Sequence, residues 1–255
     1  MIKRFIKKII PEKVRLDLHY LFFKFKAIFY KGNNVYCNCC NKNFDHFLPY
    51  GNKERNNAVC PYCHSLERTR LLMYFLNNET SVFSTPNKLL HFAPERAIET
   101  NLKKLKNLNY ITADINPAFA DYEVDIQDIP FHDNKFDIII CSHVLGHIPN
   151  EAKAIDEIFR VLKPGGFALI LTLIDFNRAK TFESAEVNSN EKRLEQYGEP
   201  DLLRLHGNDF AERLNRKNID IETVKYFKNF SIEERQRYQL GTGERELIFK
   251  CIKIE

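Results

Sequence analysis

The sequence predicts an α/β fold built on a mostly parallel sheet, and three neighbouring segments carry that prediction. Residues 137–141 (DIIIC) are a short apolar, β-branched run of the kind a strand covered on both faces requires. Ile155, Ile158, Phe159 and Leu162 recur at i, i+3, i+4 and i+7, which makes one apolar stripe along a helix. Pro149 and Asn150 suit the entry of that helix, and Pro164-Gly165-Gly166 cannot continue it. Residues 167–173 supply a second apolar run. The stretch 136–173 therefore reads as one βαβ unit, two parallel strands joined by a helix.

A chain of 255 residues has room for one sizeable domain with a small appendage. Its 44% hydrophobic and 28% charged content is ordinary for a globular protein. The net charge of +4 is unevenly placed: residues 1–31 hold nine Lys/Arg against Glu12 and Asp17, a net +7, so the remainder carries −3. A body of that charge argues against a nucleic-acid partner. Five of the seven cysteines fall between residues 37 and 63, a clustering that suits metal binding in a reducing compartment. Cys141 and Cys251 stand alone in strand-like runs, as buried thiols do. The start MIKRFIKKII lacks the apolar core of a secretory signal, and no run approaches membrane-spanning length, so a cytoplasmic location is expected.

Residues 1–30 place Ile2, Phe5, Ile6 and Ile9, then Leu21, Phe22, Phe25, Ile28 and Phe29, at helical spacing among Lys and Arg, with Pro11 dividing two pieces. Two readings fit. One is a basic amphipathic segment in peripheral contact with an anionic membrane; the other is a helix packed on the body or on a second subunit. Oligomeric state stays open with them.

Cys37-x2-Cys40 and Cys60-x2-Cys63 form two knuckles separated by 19 residues. Each knuckle lets two thiolates converge from one tight turn, and two complete a tetrahedral Zn²⁺ shell. With no open position the expected role is structural, in a small ribbon that needs its metal to fold. Cys39 is an extra thiol, and His46 and His64 lie close by in sequence. Residues 64–77 then read as a helix burying Leu71, Leu72, Phe75 and Leu76. Its Glu67, Arg68 and Arg70 make either a salt-bridged link between ribbon and body or, through an arginine, a contact to an anionic substrate.

Residues 88–92 are the first strand of the main domain, followed by a turn without glycine, Ala93-Pro94-Glu95. Residues 110–113 form the next strand and end at Asp114, nineteen residues after Glu95. An acid there suits two ribose hydroxyls; a turn aspartate before Asn116-Pro117 is the alternative. His143 and His147, in the loop after residue 141, are candidates for packing under a cofactor, orienting substrate or acting as a base. Residues 174–207 are a long polar insertion of the kind that forms lids or binding loops.

The FD at residue 136, the CSHVLGH loop (141–147) and LKPGG (162–166) resemble class I S-adenosylmethionine-dependent methyltransferases. The likeness is closer to one branch of them, which combines CxxC…CPxC, SLERxR, FAPE and CSHVLEH with LKPGG, and it covers nearly the whole chain after residue 35. It implies a Rossmann-like methyltransferase fold, with residues 219–227 and 246–254 as an antiparallel C-terminal edge and a small N-terminal zinc ribbon. The division implied is a basic helical segment (1–34), a ribbon (35–65) and the methyltransferase domain (66–255) with an insertion at about 175–207.

The implied cofactor is S-adenosyl-L-methionine. By resemblance Phe92, Ala93, Pro94 and Glu95 face its methionine half, Asp114 and Ile115 its ribose, and Asp125, Ile126 and Gln127 its adenine. Ser142 and His143 lie beneath it. His147 and His143 are the catalytic candidates. The insertion matches the branch at Thr181, Glu183, Arg193, Tyr197, Gly198, Asp201, Arg204 and Gly207, so Arg193, Asp201 and Arg204, with Tyr238, are the expected acceptor contacts. Two positions depart from the pattern: Gly146 stands where glutamate is usual and Leu202 where histidine is. The function implied is methylation of a small polar acceptor, such as a sugar or glycan intermediate. An RNA methyltransferase gripping nucleic acid with its ribbon is one alternative, and a non-catalytic binding module with this fold is another.

Overall fold

The computed structural model describes residues 11–243 and 245–255, so the expected stripe of Ile2, Phe5, Ile6 and Ile9 lies outside the described residues. Pro11 caps helix α1 (Glu12–Lys26), which ends in a 3₁₀ turn at Ala27–Tyr30. Two short hairpins follow, β1 (Val35–Cys37) with β2 (Lys42–Phe44) and β3 (Leu48–Tyr50) with β4 (Arg55–Val59). Helix α2 (Glu67–Glu79) leads into β5 (Asn87–Phe92), α3 (Arg96–Leu102), β6 (Leu108–Asp114), β7 (Tyr122–Glu123) and β8 (Phe136–Ser142). The unit read from sequence is completed by α4 (Glu151–Val161) and β9 (Leu162–Leu171). Then come α5 (Asn190–Tyr197), α6 (Phe210–Leu214), β10 (Ile219–Val224), α7 (Ile232–Tyr238) and β11 (Ile248–Lys253).

One seven-stranded sheet runs in the order β10-β11-β9-β8-β5-β6-β7. Strands β9, β8, β5, β6 and β7 are mutually parallel, and β11 is antiparallel to both β9 and β10. The C-terminal pair thus makes the antiparallel end expected from sequence, with β11 inserted and β10 outermost.

The FD that opens β8 has a mechanical reason. Asp137 accepts from the Lys88 backbone N–H at 2.7 Å and from Lys163 Nζ at 2.6 Å, tying the starts of β5 and β9 to β8. The helix ends at Val161, so Leu162, read as part of its stripe, instead opens β9, and Pro164-Gly165-Gly166 runs on within that strand with a register shift opposite Phe136–Ile138. Gly165 takes a left-handed φ of +75°, and a Cβ on Gly166 would meet the Asp137 carbonyl at 2.6 Å, so this bulge requires both glycines. At the helix entry Asn150 caps α4 by accepting from Lys153 N.

Ribbon and body share one core. A single apolar cluster contains Val35, Phe44 and Phe47 of the hairpins, Leu71 and Leu72 of α2, and Ile138 and Leu169 of the sheet. Through it runs Arg70, fully buried. Its guanidinium lies 4.6 Å from the Phe47 ring centroid and donates to the carbonyls of Ser65, Ala58, Tyr238 and Gln239 at 2.6–3.2 Å. Arg55 and Glu67 add an ion pair at 2.9 Å. Of the two readings of this helix, Glu67 and Arg70 take the linking one. Arg70→Met removes every one of those donors while keeping the apolar stem. Denaturant titration is expected to show a loss of about 3 kcal/mol or more, since each buried carbonyl left without a donor costs roughly 1–3 kcal/mol. A loss under about 1 kcal/mol would contradict the role assigned to Arg70.

Candidate functional site

Phe92 to Glu95, Asp114, Ile115, Ser142 and His143 lie at the C-terminal ends of β5, β6 and β8, the edge where parallel sheets hold ligands. Two strand ends there are bent by residues in the left-handed region, Ala93 at φ +46° and His143 at φ +56°. For a residue with a Cβ this conformation costs about 1–2 kcal/mol. The glycine-free turn therefore has the backbone shape that glycine supplies elsewhere. Such strain, held by a rigid sheet, is typical of binding loops.

Beside that turn a polar chain crosses three strands. The Tyr110 hydroxyl donates to His91 Nδ1 at 2.8 Å, His91 Nε2–H donates to Glu95 Oε2 at 3.0 Å, and Ser142 Oγ donates to Glu95 Oε1 at 2.7 Å. Burial alone would raise the Glu95 carboxyl. The His91 hydrogen bond, the Arg68 guanidinium and the Ser142 hydroxyl outweigh it and keep Glu95 below its ordinary range, hence charged. Arg68, one turn before Leu72 on α2, has a buried Nε with no partner among the described residues. His143 donates from Nε2 to the Arg245 carbonyl at 3.1 Å, which leaves Nδ1 as an acceptor. Burial, with Arg68 adding, pulls the His143 imidazole well below its usual range, so it is neutral.

Asp114 ends β6 and accepts from the Asn116 N–H at 2.8 Å, so the turn reading holds for its Oδ1. Ile115 beside it is 68% exposed, free to meet a ligand. Asp125 is exposed and caps its own turn at Gln127 N, 2.9 Å; Gln127 Oε1 in turn accepts from Asn150 N. Phe92 and Ile126 are buried in the core beneath this edge.

A cavity of about 960 Å³ opens beyond the end of β9, and its lining includes Arg68 but none of residues 92–95, 114–115 or 142–147. Its walls come from the β3–β4 loop (Tyr50, Lys53), from Arg68, from Asp175 after β9 and from the insertion (Glu195, Asp201). Arg245 bonds Glu199 at 3.3 Å across it. Of the four expected acceptor contacts, only Asp201 lines this cavity, 3.5 Å from His147 Nδ1. His147, Glu199 and Asp201 bring ligand atoms within 4.8 Å of one another, but Arg245 already supplies a positive charge there. Arg204 is turned away from the cavity. It is 2% exposed and spends its donors on Glu183 and on the carbonyls of Leu145, Ile148 and Pro149, clamping the insertion to the loop after β8. Arg193 is on α5 outside the lining, and Tyr238 stacks on Tyr74 and Tyr36. The two departures from the resembled pattern touch: a Cβ on Gly146 would stand 2.7 Å from Leu202 Cδ2. Leucine fills the space a larger residue at 146 would need.

The sulfurs of Cys37, Cys40, Cys60 and Cys63 all lie within 4.8 Å of one another, with Cys37–Cys63 at 3.5 Å and Cys40–Cys60 at 3.8 Å. Zn–S bonds of ~2.3 Å imply tetrahedral S···S edges of about 3.8 Å, so the four fit. Burial opposes a thiolate at Cys37, but hydrogen bonds from neighbouring cysteines hold its thiol well below the usual range. Cys60 is raised by burial and Cys40 by its bonds to the other thiols. One thiolate is stable here, and four need a cation. Cys39 points instead toward the Thr69 carbonyl, His46 bonds Asp45, and His64 packs on Phe23 and Tyr20.

Sequence reasoning missed Glu246, which follows Glu244 and Arg245 just before the last strand and looks like surface. It is 3% exposed, and burial pushes its carboxyl up to about 7, against hydrogen bonds donated by the Gly243 and Arg245 N–H groups. Its folded pKa lies above the ordinary 4.5, so the folded chain binds the extra proton between these values. The resulting stability is complete below pH ~4.5 and is lost as pH rises through 7. Glu246→Gln removes that loss. Its stability relative to wild type should grow by up to about 3 kcal/mol between pH 4.5 and 8 in denaturant titrations. A pH-independent difference would contradict it.

Residues 89–170 match a family model described as "Methyltransferase domain". The chain is 43% identical over 133 residues to the ubiquinone/menaquinone biosynthesis C-methyltransferase UbiE of Idiomarina loihiensis, covering 48% of this chain and 48% of that protein. It is 35% identical over 80 residues to the sterol 4-C-methyltransferase strm-1 of Caenorhabditis elegans, 31% of this chain and 24% of the relative. It therefore spans about half or less of the curated relatives it matches. Among solved structures, an S-adenosylmethionine-dependent methyltransferase from Mesorhizobium loti superposes with a TM-score of 0.51 at 12% identity, over 73% of this chain and 98% of that one. The segment from β5 to β9 thus matches the methyltransferase domain, and the fold around it is that of class I methyltransferases.

Proposed function

We propose that the chain is an S-adenosylmethionine-dependent methyltransferase for a polar acceptor, working in a reducing compartment with a structural Zn²⁺ in its ribbon. One observation carries the cofactor reading: beside the left-handed Ala93 turn, Glu95 is held charged in part by the Arg68 guanidinium, whose Nε has no partner among the described residues. The amino-acid end of the cofactor bears an ammonium and a carboxylate. Glu95 complements the first and Arg68 the second. Asp114 takes the ribose hydroxyls with the oxygen that Asn116 leaves free, Asp125 and Gln127 take the adenine edge, Pro94 and Ile115 supply apolar surface, and the buried Phe92 and Ile126 support that edge from beneath. When bound, the sulfonium supplies an electrophilic methyl group.

The chain's own residues then have to align the acceptor and remove its proton. His143 is neutral with Nδ1 open, which suits accepting a hydrogen bond from the acceptor; His147, oriented by Asp201, is the candidate base. The charged walls of the cavity favour a polar acceptor such as a sugar. Cys37, Cys40, Cys60 and Cys63 would hold the metal, which has no open position and so stabilises the ribbon without entering the reaction.

Calorimetry with two ligands tests this reading: S-adenosylmethionine, and 5′-methylthioadenosine, which lacks the amino-acid group. Wild type is expected to bind both. Arg68→Gln should weaken the first about 10- to 100-fold, the effect of a lost charged hydrogen bond, and leave the second within about twofold. Asp114→Ala should weaken both. A wild type that binds neither ligand would overturn the proposal.

A further inference from the structure

Helix α1 has two apolar faces, and among the described residues only one is packed. On the inner face Tyr20 and Phe23 pack around His64, the Arg96 guanidinium lies 4.1 Å over the Tyr20 ring, and Ala27 is buried. On the opposite face Val14, Leu18, Phe22, Phe25 and Phe29 follow one another at i, i+4, i+8, i+11 and i+15, with Leu21 and Ile28 beside them. All seven are between 46% and 79% exposed. A continuous stripe of this size is the mark of an interaction surface and not of scattered surface hydrophobics.

We infer that this outer face docks on an anionic lipid bilayer. The charges around the stripe select the occupant. At 3.6 residues per turn, Lys13 and Lys24 fall along one edge of the stripe and Arg15 and Lys26 along the other. The two acids of the helix are engaged elsewhere: Asp17 pairs with Arg96 at 2.8 Å, and Glu12 meets Arg15 and Asn116. A second copy packed on this stripe would set four basic side chains of each helix against those of the other, with Asp17, already paired with Arg96, the one acid along either edge. An anionic bilayer accepts both edges. The lysine and arginine stems lie along the apolar face with their heads among the phosphates, while the phenylalanines enter the acyl boundary. The contact is peripheral, since no described helix is long and apolar enough to cross a membrane. The inner face of α1 meanwhile lines a cleft of about 270 Å³ with Pro94 and residues 118–121. Docking would therefore bring the turn after β5 and the loop after Asp114 close to the bilayer plane.

Vesicle co-sedimentation tests this with the full chain, using phosphatidylcholine alone and phosphatidylcholine with one quarter phosphatidylglycerol, at low salt and at 0.5 M salt. Light scattering reports oligomeric state in parallel. The expected result is at least tenfold stronger binding to the anionic vesicles, lost at high salt. Phe22→Ser/Phe25→Ser and Lys24→Glu/Lys26→Glu should each weaken it at least tenfold. Both pairs are exposed, so thermal melts and methylthioadenosine binding should stay at wild-type values. Absence of vesicle binding, or binding that the variants leave intact, would overturn the inference. A dimer that the phenylalanine pair abolishes would give the face to a second copy.

Discussion

The arrangement depends on one buried cation. Arg70 threads the core from α2 and gives its donors to carbonyls of three segments: the turn before α2, strand β4 and the end of α7. An uncompensated buried charge is expensive, and four carbonyl dipoles with a stacked ring are what make this one tolerable. Because those carbonyls are far apart in sequence, a single side chain sets the ribbon, the first helix of the body and the C-terminal segment against one another. The consequence is local to function. The β3–β4 loop becomes a fixed wall of the large cavity, and Arg68, two residues from Arg70, is held at that cavity with its Nε unbonded among the described residues.

Much of the fold was legible because the physics of a covered parallel strand is written in consecutive residues. The run in β8 and the stripe in α4 could hardly be anything else, and their positions agree with expectation to within a residue or two. The reading failed where the decisive contact lies outside the local window. Pro164-Gly165-Gly166 looks like a turn, yet it continues β9 because Gly166 must pass against the Asp137 carbonyl.

The site divides in the same way. Motif residues at strand ends arrived where the βαβ rule puts them, and Ala93 shows why the missing glycine is not a defect: the strand end imposes the left-handed shape on whatever residue stands there. Arginines were harder to place, because sequence cannot say which guanidinium is consumed by backbone carbonyls. Arg204 is consumed and Arg68 is not. Gly146 and Leu202, read separately, look like two losses; in space they are one exchange, with an apolar plug where two larger polar side chains would meet.

The ribbon carries the account's central claim, that a closed metal site and Arg70 together hold it as a wall of the acceptor cavity. The four sulfurs fit a tetrahedron, and Cys39 beside them gives an internal control, being a buried thiol of the same segment turned toward Thr69. Zinc content per chain, measured by plasma emission on purified wild type, Cys37→Ser and Cys39→Ser, tests it most directly. The account predicts one zinc in wild type and in Cys39→Ser, and loss of metal with unfolding of the hairpins in Cys37→Ser. Metal-free wild type with an ordered ribbon, or zinc lost equally from both variants, would contradict it.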